Sequence, residues 1–407
     1  MKILWISYRV PYDSVPHAGG KIHNFYLKKL SKKTNYDIHL VSFYLNSEKE
    51  KIDLDKTKIK NTLICRDDLE KKLSFFQKIE NYLIRLNPFN EKIDLIVNRF
   101  LKAALGKIEC ICTNKSPDLI ILQWTQIVSM LHILKKKYPN AIIIAIEEDV
   151  TFLSLKRRYD YTKNIIHKFL LCVEIWKMKK IEKKCLEIAD LTILNNKKDE
   201  KLLQNNGIDA NVWVWTPFFQ NMLPLDCSCS GKQILFYGAM SRPENYLSAI
   251  WFIERVFIPK LEQSGFCFIV VGGNPHELIK KYDNGNSIRI VGFVDDISSY
   301  FEESLCLVAP LVMGAGVKIK VVEAMSAGIP VLTNEIGIEG IFAENGKDYL
   351  FCKTPEDYEE SIIKLTNEIG LAKKLGENAK AFIRRNYDYE RDAMTFYEKI
   401  ASLVETK

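Results

Sequence analysis

The sequence predicts an α/β protein with two doubly wound domains, each a parallel sheet covered by helices on both faces. Its 407 residues are too many for one ordinary domain. Short apolar runs alternate with patterns of helical spacing, which is the signature of a parallel sheet. The alternation starts again after residues 213–232, a segment whose two prolines, glycine and Cys-Ser-Cys-Ser run predict a linker.

The predicted strands are short and apolar. In the first half they are 2–7, 37–43, 118–124, 141–146 and 190–194, with helical spacing at 21–33 and 173–189. In the second half they are 233–238, 267–273, 287–293, 305–310, 329–334 and 348–352, with a helix at 244–263. We expect an N-terminal domain of residues 1–215, a second domain of residues 216–385, and a C-terminal helix, 386–407, that packs back on the first domain. Because ligands of such sheets bind beyond the carboxyl ends of the strands, functional loops should directly follow strands.

Composition excludes several classes of protein. The chain is 47% hydrophobic and 27% charged, as in soluble globular proteins, and no apolar run reaches the roughly 18 residues of a membrane-spanning helix. Its ten cysteines form no Cys-x-x-Cys pair, which argues against a zinc site and favours a reduced, cytoplasmic setting. The first residues predict a strand rather than a signal peptide. No histidine spacing indicates a metal, and we expect none.

The net charge of +7 is unevenly distributed. Residues 1–215 carry 38 Lys+Arg and 25 Asp+Glu, and residues 216–407 carry 20 and 26, so the two parts contribute +13 and −6. The segment 155–187 interleaves cations, among them the lysines at 177, 179, 180, 183 and 184, with large apolar residues, and 71–89 has similar character. Such basic amphipathic segments lie on anionic membranes or pack as ordinary helices with solvated lysines. The sequence leaves both interpretations open.

The stretch from Gly314 to Thr333, GAGVKIKVVEAMSAGIPVLT, places cations and a carboxylate in an apolar context. It follows a predicted strand, and helical spacing begins at Val317. Glycines let a backbone approach a ligand, and a helix N-terminus with nearby lysines attracts an anion. Glu323, one turn after Lys320, would accept hydrogen bonds from two neighbouring hydroxyls. The spacing alone is equally compatible with a surface helix whose lysines and glutamate are solvated.

This stretch resembles the signature of retaining GT-B glycosyltransferases, the group often called family 4 or group 1. The segments ILFYGAMSRPENYLSAIWFIERVFIPKL, FIVVGGNP and IRIVGFVDDISSYFEES resemble the same family's donor domain in the expected order, and KILWISYRVPYDSVPHAGGKIHNFYLKKLSK resembles its acceptor-domain start. The resemblance implies two Rossmann-like domains facing across a cleft. It also implies retaining transfer of a hexose-type sugar from a nucleotide-diphosphate sugar to a glycan or lipid-linked acceptor in cell-surface polysaccharide assembly, without a metal.

The resemblance also assigns roles to residues. Glu323 would bind the donor ribose, and the backbone of Gly316 and Val317 would meet the diphosphate. Lys320, followed by Lys318 and Arg242, would neutralise the leaving group. The other donor-binding candidates are Gly19 and Gly20, which would let the first loop approach the phosphates, and Phe293 and Val294 near the base. On a helix that begins at Val317, the two lysines point about 200° apart, so Lys320, which shares a face with Glu323, is the expected main cation.

Two departures from the family pattern concern the chemistry. Ala315 stands where the family has a glutamate that contacts the transferred sugar. The acids Glu147, Glu148 and Asp149 follow a strand where many members carry a histidine. Burying carboxylates is costly, so either this triplet is a solvated loop, or Glu148 or Asp149 orients the acceptor or stabilises positive charge on the sugar. His17, in the loop beside the first glycine pair, is a further catalytic candidate.

Two rival functions follow from the same sequence. A nucleotide-sugar epimerase would share the fold, but it needs acid and base groups near the sugar, and no histidine stands at the matching positions. A basic nucleic-acid-binding protein would explain the charge of residues 1–215, but no recognised nucleic-acid module is present and the charges accompany long apolar runs. We therefore expect no nucleic-acid partner.

Overall fold

A computed structural model describes residues 1–15, 18–32, 36–87, 89–113, 115–215, 225–227, 229–314, 316–368 and 370–405. The chain forms two compact units. The first comprises Met1–Phe218 together with Tyr389–Lys407, and the second comprises Phe219–Asp388.

The first unit is built on a seven-stranded parallel sheet. Its strands are β1 (Lys2–Ser7), β2 (Asp37–Tyr44), β3 (Lys60–Cys65), β4 (Leu119–Gln123), β5 (Ile142–Glu147), β6 (Leu191–Leu194) and β7 (Val212–Val214). Their order across the sheet is β3-β2-β1-β4-β5-β6-β7, with all neighbours parallel. β4 and β5 are runs of Leu and Ile buried on both faces, as the helical cover of a parallel sheet requires.

Helices cover this sheet. They are α1 (Ala18–Ser31), α2 (Arg66–Leu69), α3 (Phe75–Leu86), α4 (Leu95–Ile111), α5 (Thr125–Val128), α6 (Leu131–Lys137), α7 (Thr151–Tyr161), α8 (Ile165–Leu186) and α9 (Lys197–Asn205), with short 3₁₀ turns at Asn46–Lys51 and Leu54–Lys56. Side chains of Ser74, Asp94 and Asn164 cap α3, α4 and α8 by accepting hydrogen bonds from first-turn N–H groups.

The second unit has a six-stranded parallel sheet. Its strands are β8 (Gln233–Tyr237), β9 (Cys267–Val271), β10 (Ile288–Gly292), β11 (Cys306–Ala309), β12 (Val331–Thr333) and β13 (Leu350–Phe351), in the order β10-β9-β8-β11-β12-β13. Its helices are α10 (Pro243–Phe252), which continues as a π-helix over Ile253–Leu261 and a 3₁₀ turn over Glu262–Ser264, and α11 (Glu277–Lys280), α12 (Ser298–Glu303), α13 (Ile319–Ala327), α14 (Pro355–Asn367) and α15 (Leu371–Asn386).

The last helix, α16 (Tyr389–Glu405), packs within the first unit. Its Phe396 ring stacks on Trp215 with centroids 4.6 Å apart and lies 5.4 Å from the Tyr26 ring of α1. Aromatic surfaces of this size dominate the energy of such contacts. The C-terminal segment is therefore joined to the first unit by an aromatic cluster.

The predicted fold class is confirmed, and all eleven predicted strands are present. β3 and β7 were not predicted. β3 has the sequence Lys-Asn-Thr-Leu-Ile-Cys at the edge of the sheet, where only part of each side chain is buried, and β7 has three residues. β3 lacks a continuous apolar run, whereas β7 is apolar but includes Trp213 and Val214, which the sequence assigned to the linker 213–232; that prediction is wrong for these two residues. No helix among the described residues is both long and apolar enough to span a bilayer.

The lysines of the basic segment 155–187 are not all exposed, although both interpretations of the sequence expected them to be. Lys177 is 2% exposed, and its ammonium donates to the carbonyl of Ile84. Lys183 donates to the carbonyl of Gly207 at 2.7 Å, and Lys184 pairs with Glu91. Three of the five lysines at 177–184 thus contact other groups within the unit, and Lys177 is buried.

Candidate functional site

In the second unit, the loops singled out by the sequence lie at the point where the strand order reverses. β8 lies between β9 and β11. The chain leaves β8 toward β9 on one side and leaves β11 toward β12 on the other, so the loops 238–242 and 310–318 diverge at this edge. The divergence of such loops opens the crevice in which doubly wound sheets bind ligands.

Lys320, in the first turn of α13, lies over the end of β8. Its ammonium donates to Asn245 Oδ1 at 2.6 Å and lies 4.7 Å from the centre of the Phe236 ring. A Cβ on Gly238 would stand 3.2 Å from Lys320 Nζ, so the glycine leaves the space that the ammonium occupies. Burial, assisted by the charge of Lys318, lowers the pKa of Lys320 to about 7. Because this cation is poorly solvated, an anion beside it would be attracted more strongly than at the surface.

Glu323, one turn further along α13, is 1% exposed. The hydroxyl of Tyr237, the last residue of β8, donates to Glu323 Oε2. Burial, together with this carboxylate, raises the pKa of Tyr237 well above its usual value. Lys320 and Glu323 therefore face the same segment, the end of β8, as residues three apart on a helix should.

Lys318 lies outside α13, which corrects the expectation that the helix begins at Val317. The helix begins at Ile319, and Lys318 has extended backbone angles. The Lys318 ammonium donates to the carbonyl of Gly316 and lies 3.4 Å from Oε2 of Glu339, whose side chain is fully buried. The expected 200° separation of two lysines on one helix therefore does not apply. The loop itself directs Lys318 inward.

The remaining candidates of the second unit lie at the same edge of the sheet. Arg242 directly precedes α10, is exposed and pairs with Glu244. Cβ of Glu244 lies 4.0 Å from where a Cβ on Gly314 would stand, so the loops after β8 and β11 adjoin. Phe293 and Val294 follow β10, two strands from β8, and Phe293 is exposed. Charged groups thus concentrate at the reversal point, and an exposed ring lies toward the edge of the sheet.

In the first unit, the strand order reverses between β1 and β4. Gly19 and Gly20 lie in the first turn of α1 and not in the loop before it, which corrects the sequence expectation. A Cβ on Gly19 would stand 3.3 Å from the carboxyl carbon of Glu148 and 3.4 Å from the ring of Trp124. The glycine therefore allows α1 to approach the loops after β4 and β5. Trp124 holds a φ of +73°, which bulky residues rarely adopt.

Two amides hold the Glu148 carboxyl group. Oε1 accepts from Gln123 Nε2 at 2.8 Å, and Oε2 accepts from Asn195 Nδ2 at 3.2 Å. Gln123 in turn accepts from the indole N–H of Trp5 at 3.1 Å. Burial raises the pKa of Glu148 to about 7, and the neighbouring Asp149 adds to the shift. The unit therefore presents an oriented carboxyl group whose charge changes near neutral pH.

The acidic triplet is not a solvated loop. Glu147 ends β5, is buried and accepts a hydrogen bond from the Thr125 hydroxyl. Burial and the charge of Glu182 raise its pKa well above the usual range. Glu182 is itself buried and accepts from the first N–H of α7 at 2.7 Å. Glu147 thus belongs to the interior, which leaves Glu148 and Asp149 as the partly exposed acids of the triplet.

Three residues that contact the candidate site residues were not predicted: Tyr237, Gln123 and Asn195. Two positions discussed from the sequence lie outside the described residues. Tyr237 and Gln123 end strands, and Asn195 directly follows one. Their position at strand ends could have indicated a site. Aromatic and amide residues are also common at strand ends that bind nothing, so this position alone does not identify a site residue. His17 and Ala315 lie outside the described residues.

Residues 231–368 match the family model described as glycosyl transferases group 1. This stretch runs from β8 to α14 and contains Arg242, Lys318, Lys320 and Glu323. Within this stretch the chain is similar to the group 1 glycosyltransferases. The cations and the carboxylate that the resemblance singled out in the second unit therefore all lie within the matched stretch.

Other proteins are similar to the chain along its whole length. It is 23% identical over 403 residues to a Klebsiella pneumoniae protein named "Uncharacterized 44.6 kDa protein in cps region", covering 96% of this chain and 97% of that protein. Sucrose-phosphate synthase from Thermosynechococcus elongatus has a similar structure, with 14% identity, a TM-score of 0.72 and full coverage of both chains. Anabaena HepE in complex with UDP-glucose has 13% identity and a TM-score of 0.65, covering 99% of this chain and 100% of that one. These similarities establish a GT-B fold of two Rossmann-like domains.

Proposed function

We propose that this enzyme transfers a hexose-type sugar, with retention, from a nucleotide-diphosphate sugar to a glycan or lipid-linked acceptor in cell-surface polysaccharide biosynthesis. The second unit would bind the donor and the first unit the acceptor. The reaction would take place in the cytoplasm. The observation that carries the proposal is the pairing of Lys320 and Glu323 on one face of α13, beside the point where the strand order reverses.

The chemistry of that pairing suits a nucleotide-diphosphate sugar. Two phosphates need cations and N–H donors, which Lys320 and the start of α13 supply. A ribose presents two adjacent hydroxyls, which the carboxylate of Glu323 would accept. Backbone at Gly316 and Val317 would approach the diphosphate, and Arg242 would add charge from the loop after β8. Anabaena HepE, which was solved with UDP-glucose, and the Klebsiella protein of a cps region support the choice of donor class and pathway.

The proposed mechanism depends mainly on the departing diphosphate. As the bond from the sugar to the phosphate breaks, negative charge grows on the phosphate oxygens, and Lys320 would stabilise it without reorganising. The leaving phosphate would assist the incoming hydroxyl on the same face of the sugar, which gives retention. No metal is needed for this charge balance. In the first unit, Glu148 or Asp149 would orient the acceptor or stabilise positive charge on the sugar.

Thermal unfolding with a series of nucleotides tests the proposal. A ligand that binds only the native state stabilises it by about 2.7 kcal/mol at a hundred times its Kd. A nucleoside diphosphate and its sugar derivatives should therefore raise Tm, whereas the nucleoside alone should raise it much less. Transfer of labelled sugar from the stabilising donor to a polysaccharide extract should follow. If no nucleotide diphosphate raises Tm, the donor site has been assigned wrongly.

Replacing Glu323 by glutamine should weaken donor binding by about 10–100-fold, because a hydrogen bond to a charged group contributes about 1.5–3 kcal/mol. Isothermal titration with the stabilising nucleotide measures the change, and circular dichroism verifies the fold. Tyr237→Phe is the matched control, since it removes the hydroxyl that contacts Glu323 but keeps the carboxylate. Donor binding should be weakened less in this control. Equal losses in the two variants would assign Glu323 to holding Tyr237 rather than to ribose.

Replacing Glu148 by glutamine should reduce transfer by about 10²-fold, as for other positioned acid or base groups, and leave donor affinity nearly unchanged. Since the pKa of Glu148 is raised to about 7, the carboxylate forms as pH rises through 7. Wild-type turnover at saturating donor should therefore rise between pH 6 and 8 (about tenfold per unit below the pKa), and the variant should lack this rise. Asp149→Asn is the parallel variant. Full activity in both would exclude the acids from the site.

A further inference from the structure

The apolar side of α3 faces away from the interior of the first unit. Phe75, Phe76, Ile79 and Leu83 are all exposed, and Phe76 is 81% exposed. At about 100° per residue, these four side chains lie within one third of the helix circumference. Among residues of α3, only Ile84, on the opposite side, is buried. Amphipathic helices on globular proteins normally show the reverse arrangement.

The first turns of α8 repeat this arrangement. Ile165, Ile166 and Phe169 are exposed, Ile165 at 82%, and Trp176 continues the same stripe two turns further along. The buried residues of this helix begin at Leu171. The N-terminal part of α8 therefore presents apolar side chains to the surroundings while its C-terminal part packs into the unit.

The two helices are neighbours. Arg85 of α3 pairs with Glu174 of α8 at 2.5 Å. The Lys180 ammonium lies 5.6 Å from the Trp176 ring and 6.0 Å from the ring of Phe89, an exposed residue shortly after α3. We call the exposed apolar residues of α3 and α8, together with Phe89, the outward face. Its members are Phe75, Phe76, Ile79, Leu83, Phe89, Ile165, Ile166, Phe169 and Trp176.

Cations accompany the outward face. Residues 71–92 carry five Lys/Arg and two Asp/Glu, and residues 155–169 carry five and one. Exposed cations of these two segments are Lys71, Lys72, Lys78, Lys156, Arg158 and Lys163. A surface that combines large apolar side chains with a net positive charge is complementary to anionic headgroups above an acyl layer.

We propose that the outward face inserts into the headgroup region of an anionic lipid bilayer and holds the first unit at the membrane. So many large, exposed apolar side chains on two neighbouring helices are unusual on proteins that stay in water. The aromatic and aliphatic side chains would enter the boundary between headgroups and acyl chains, and the lysines would remain at phosphate depth. The contact residues lie within the segments 71–89 and 155–187 that the sequence singled out, but they do not include the lysines of 177–184. The proposal does not depend on the sugar chemistry, so its test needs no activity assay.

Vesicle co-sedimentation of the full chain tests this proposal. The protein should bind vesicles of phosphatidylcholine with phosphatidylglycerol, bind phosphatidylcholine alone much more weakly, and lose binding as salt rises. The Phe76→Ser and Phe169→Ser variants should each lower partitioning by about tenfold or more, from the transfer energy of a buried phenyl group. Lys72→Gln and Lys78→Gln should each lower it by about fivefold at low salt.

Phe342→Ser is the matched control, because Phe342 is 72% exposed but lies in the second unit. This variant should bind anionic vesicles like the wild type. Absence of wild-type binding to anionic vesicles at low salt would overturn the proposal, and so would salt-independent binding. Equal losses in the control and in the two phenylalanine variants would also overturn it. If the two variants instead dissociate a dimer in sedimentation velocity while vesicle binding stays unchanged, the outward face joins copies of the chain and the proposal is wrong.

Discussion

Replacing Lys320 by alanine should lower turnover by about 10²–10³-fold at saturating donor, the usual loss when one preorganised charge contact to a transition state is removed. The fold should survive, because the lysine contacts a neutral amide, Asn245, and the Phe236 ring rather than a buried carboxylate. In the proposed mechanism, the contact matters most when negative charge appears on the departing phosphate. The loss should therefore fall mainly on kcat and less on donor affinity.

Initial rates with the donor found by thermal shift measure this loss. Lys347→Ala is the matched control, because this lysine of the same unit is exposed and pairs with Glu344 at the surface. Surface substitutions of that kind typically change stability by about 0.5 kcal/mol or less, and turnover should be unaffected. A Lys320→Ala enzyme with near wild-type kcat would remove Lys320 from the chemistry.

The pH dependence of donor binding gives a second readout for the same lysine. Burial lowers the pKa of Lys320 to about 7, so in the empty site the cation is largely lost above that pH. A bound diphosphate favours the charged form and raises this pKa again. Binding at pH 8 should therefore take up a proton, and Kd should rise by up to about tenfold per pH unit above 7. Lys320→Met should bind with no such slope.

The two titrating groups act in opposite directions. Glu148 gains its charge as pH rises through about 7, whereas Lys320 loses its charge over the same range. At subsaturating donor, wild-type activity should consequently pass through a maximum near neutral pH. Each single variant should remove one limb of the profile, so the acidic and basic limbs would be assigned separately.

Alternating apolar runs were sufficient to predict the two parallel sheets, because a strand buried on both faces must be continuously apolar. The order of the strands then showed at which edges of the sheets the candidate site residues lie. Side-chain pairing was harder to predict. Nothing in the spacing of Lys318 indicated that Glu339, 21 residues later, would receive it, since that contact depends on where the loop after β12 returns. The predicted start of α13 at Val317 was also wrong. Lys318 has extended backbone angles, so α13 begins two residues later than expected.

The exposed stripe of α3 shows a different limit. The helical spacing of its apolar residues was visible in the sequence. Such spacing does not determine whether the apolar side faces the interior of the protein or its surroundings. That choice depends on the space left by α4 and α8, which pack against α3. Sequence reasoning placed the membrane contact on lysines such as Lys177, which the structure buries. The sequence therefore indicated the two segments, 71–89 and 155–187, but not which of their side chains are exposed.

Replacing Lys318 by methionine should lower the free energy of unfolding by about 3–5 kcal/mol, because it removes the cation from beside the buried Glu339 carboxylate. Methionine keeps the length of the side chain, so lost packing contributes little. Adding Glu339→Gln should recover most of the stability, since a neutral amide in that place costs far less to bury. Denaturant unfolding of the two single variants and the double variant gives the coupling between the residues.

The double variant also separates two roles for Lys318. If its charge serves mainly Glu339 and the Gly316 carbonyl, the stable double variant should turn over donor within about tenfold of the wild type, well above Lys320→Ala. If its turnover instead falls as far as that of Lys320→Ala, the loop carries Lys318 to the diphosphate and both lysines neutralise the leaving group. If the Lys318→Met variant has the same free energy of unfolding as the wild type, the ion pair between Lys318 and Glu339 contributes nothing to the stability of the fold.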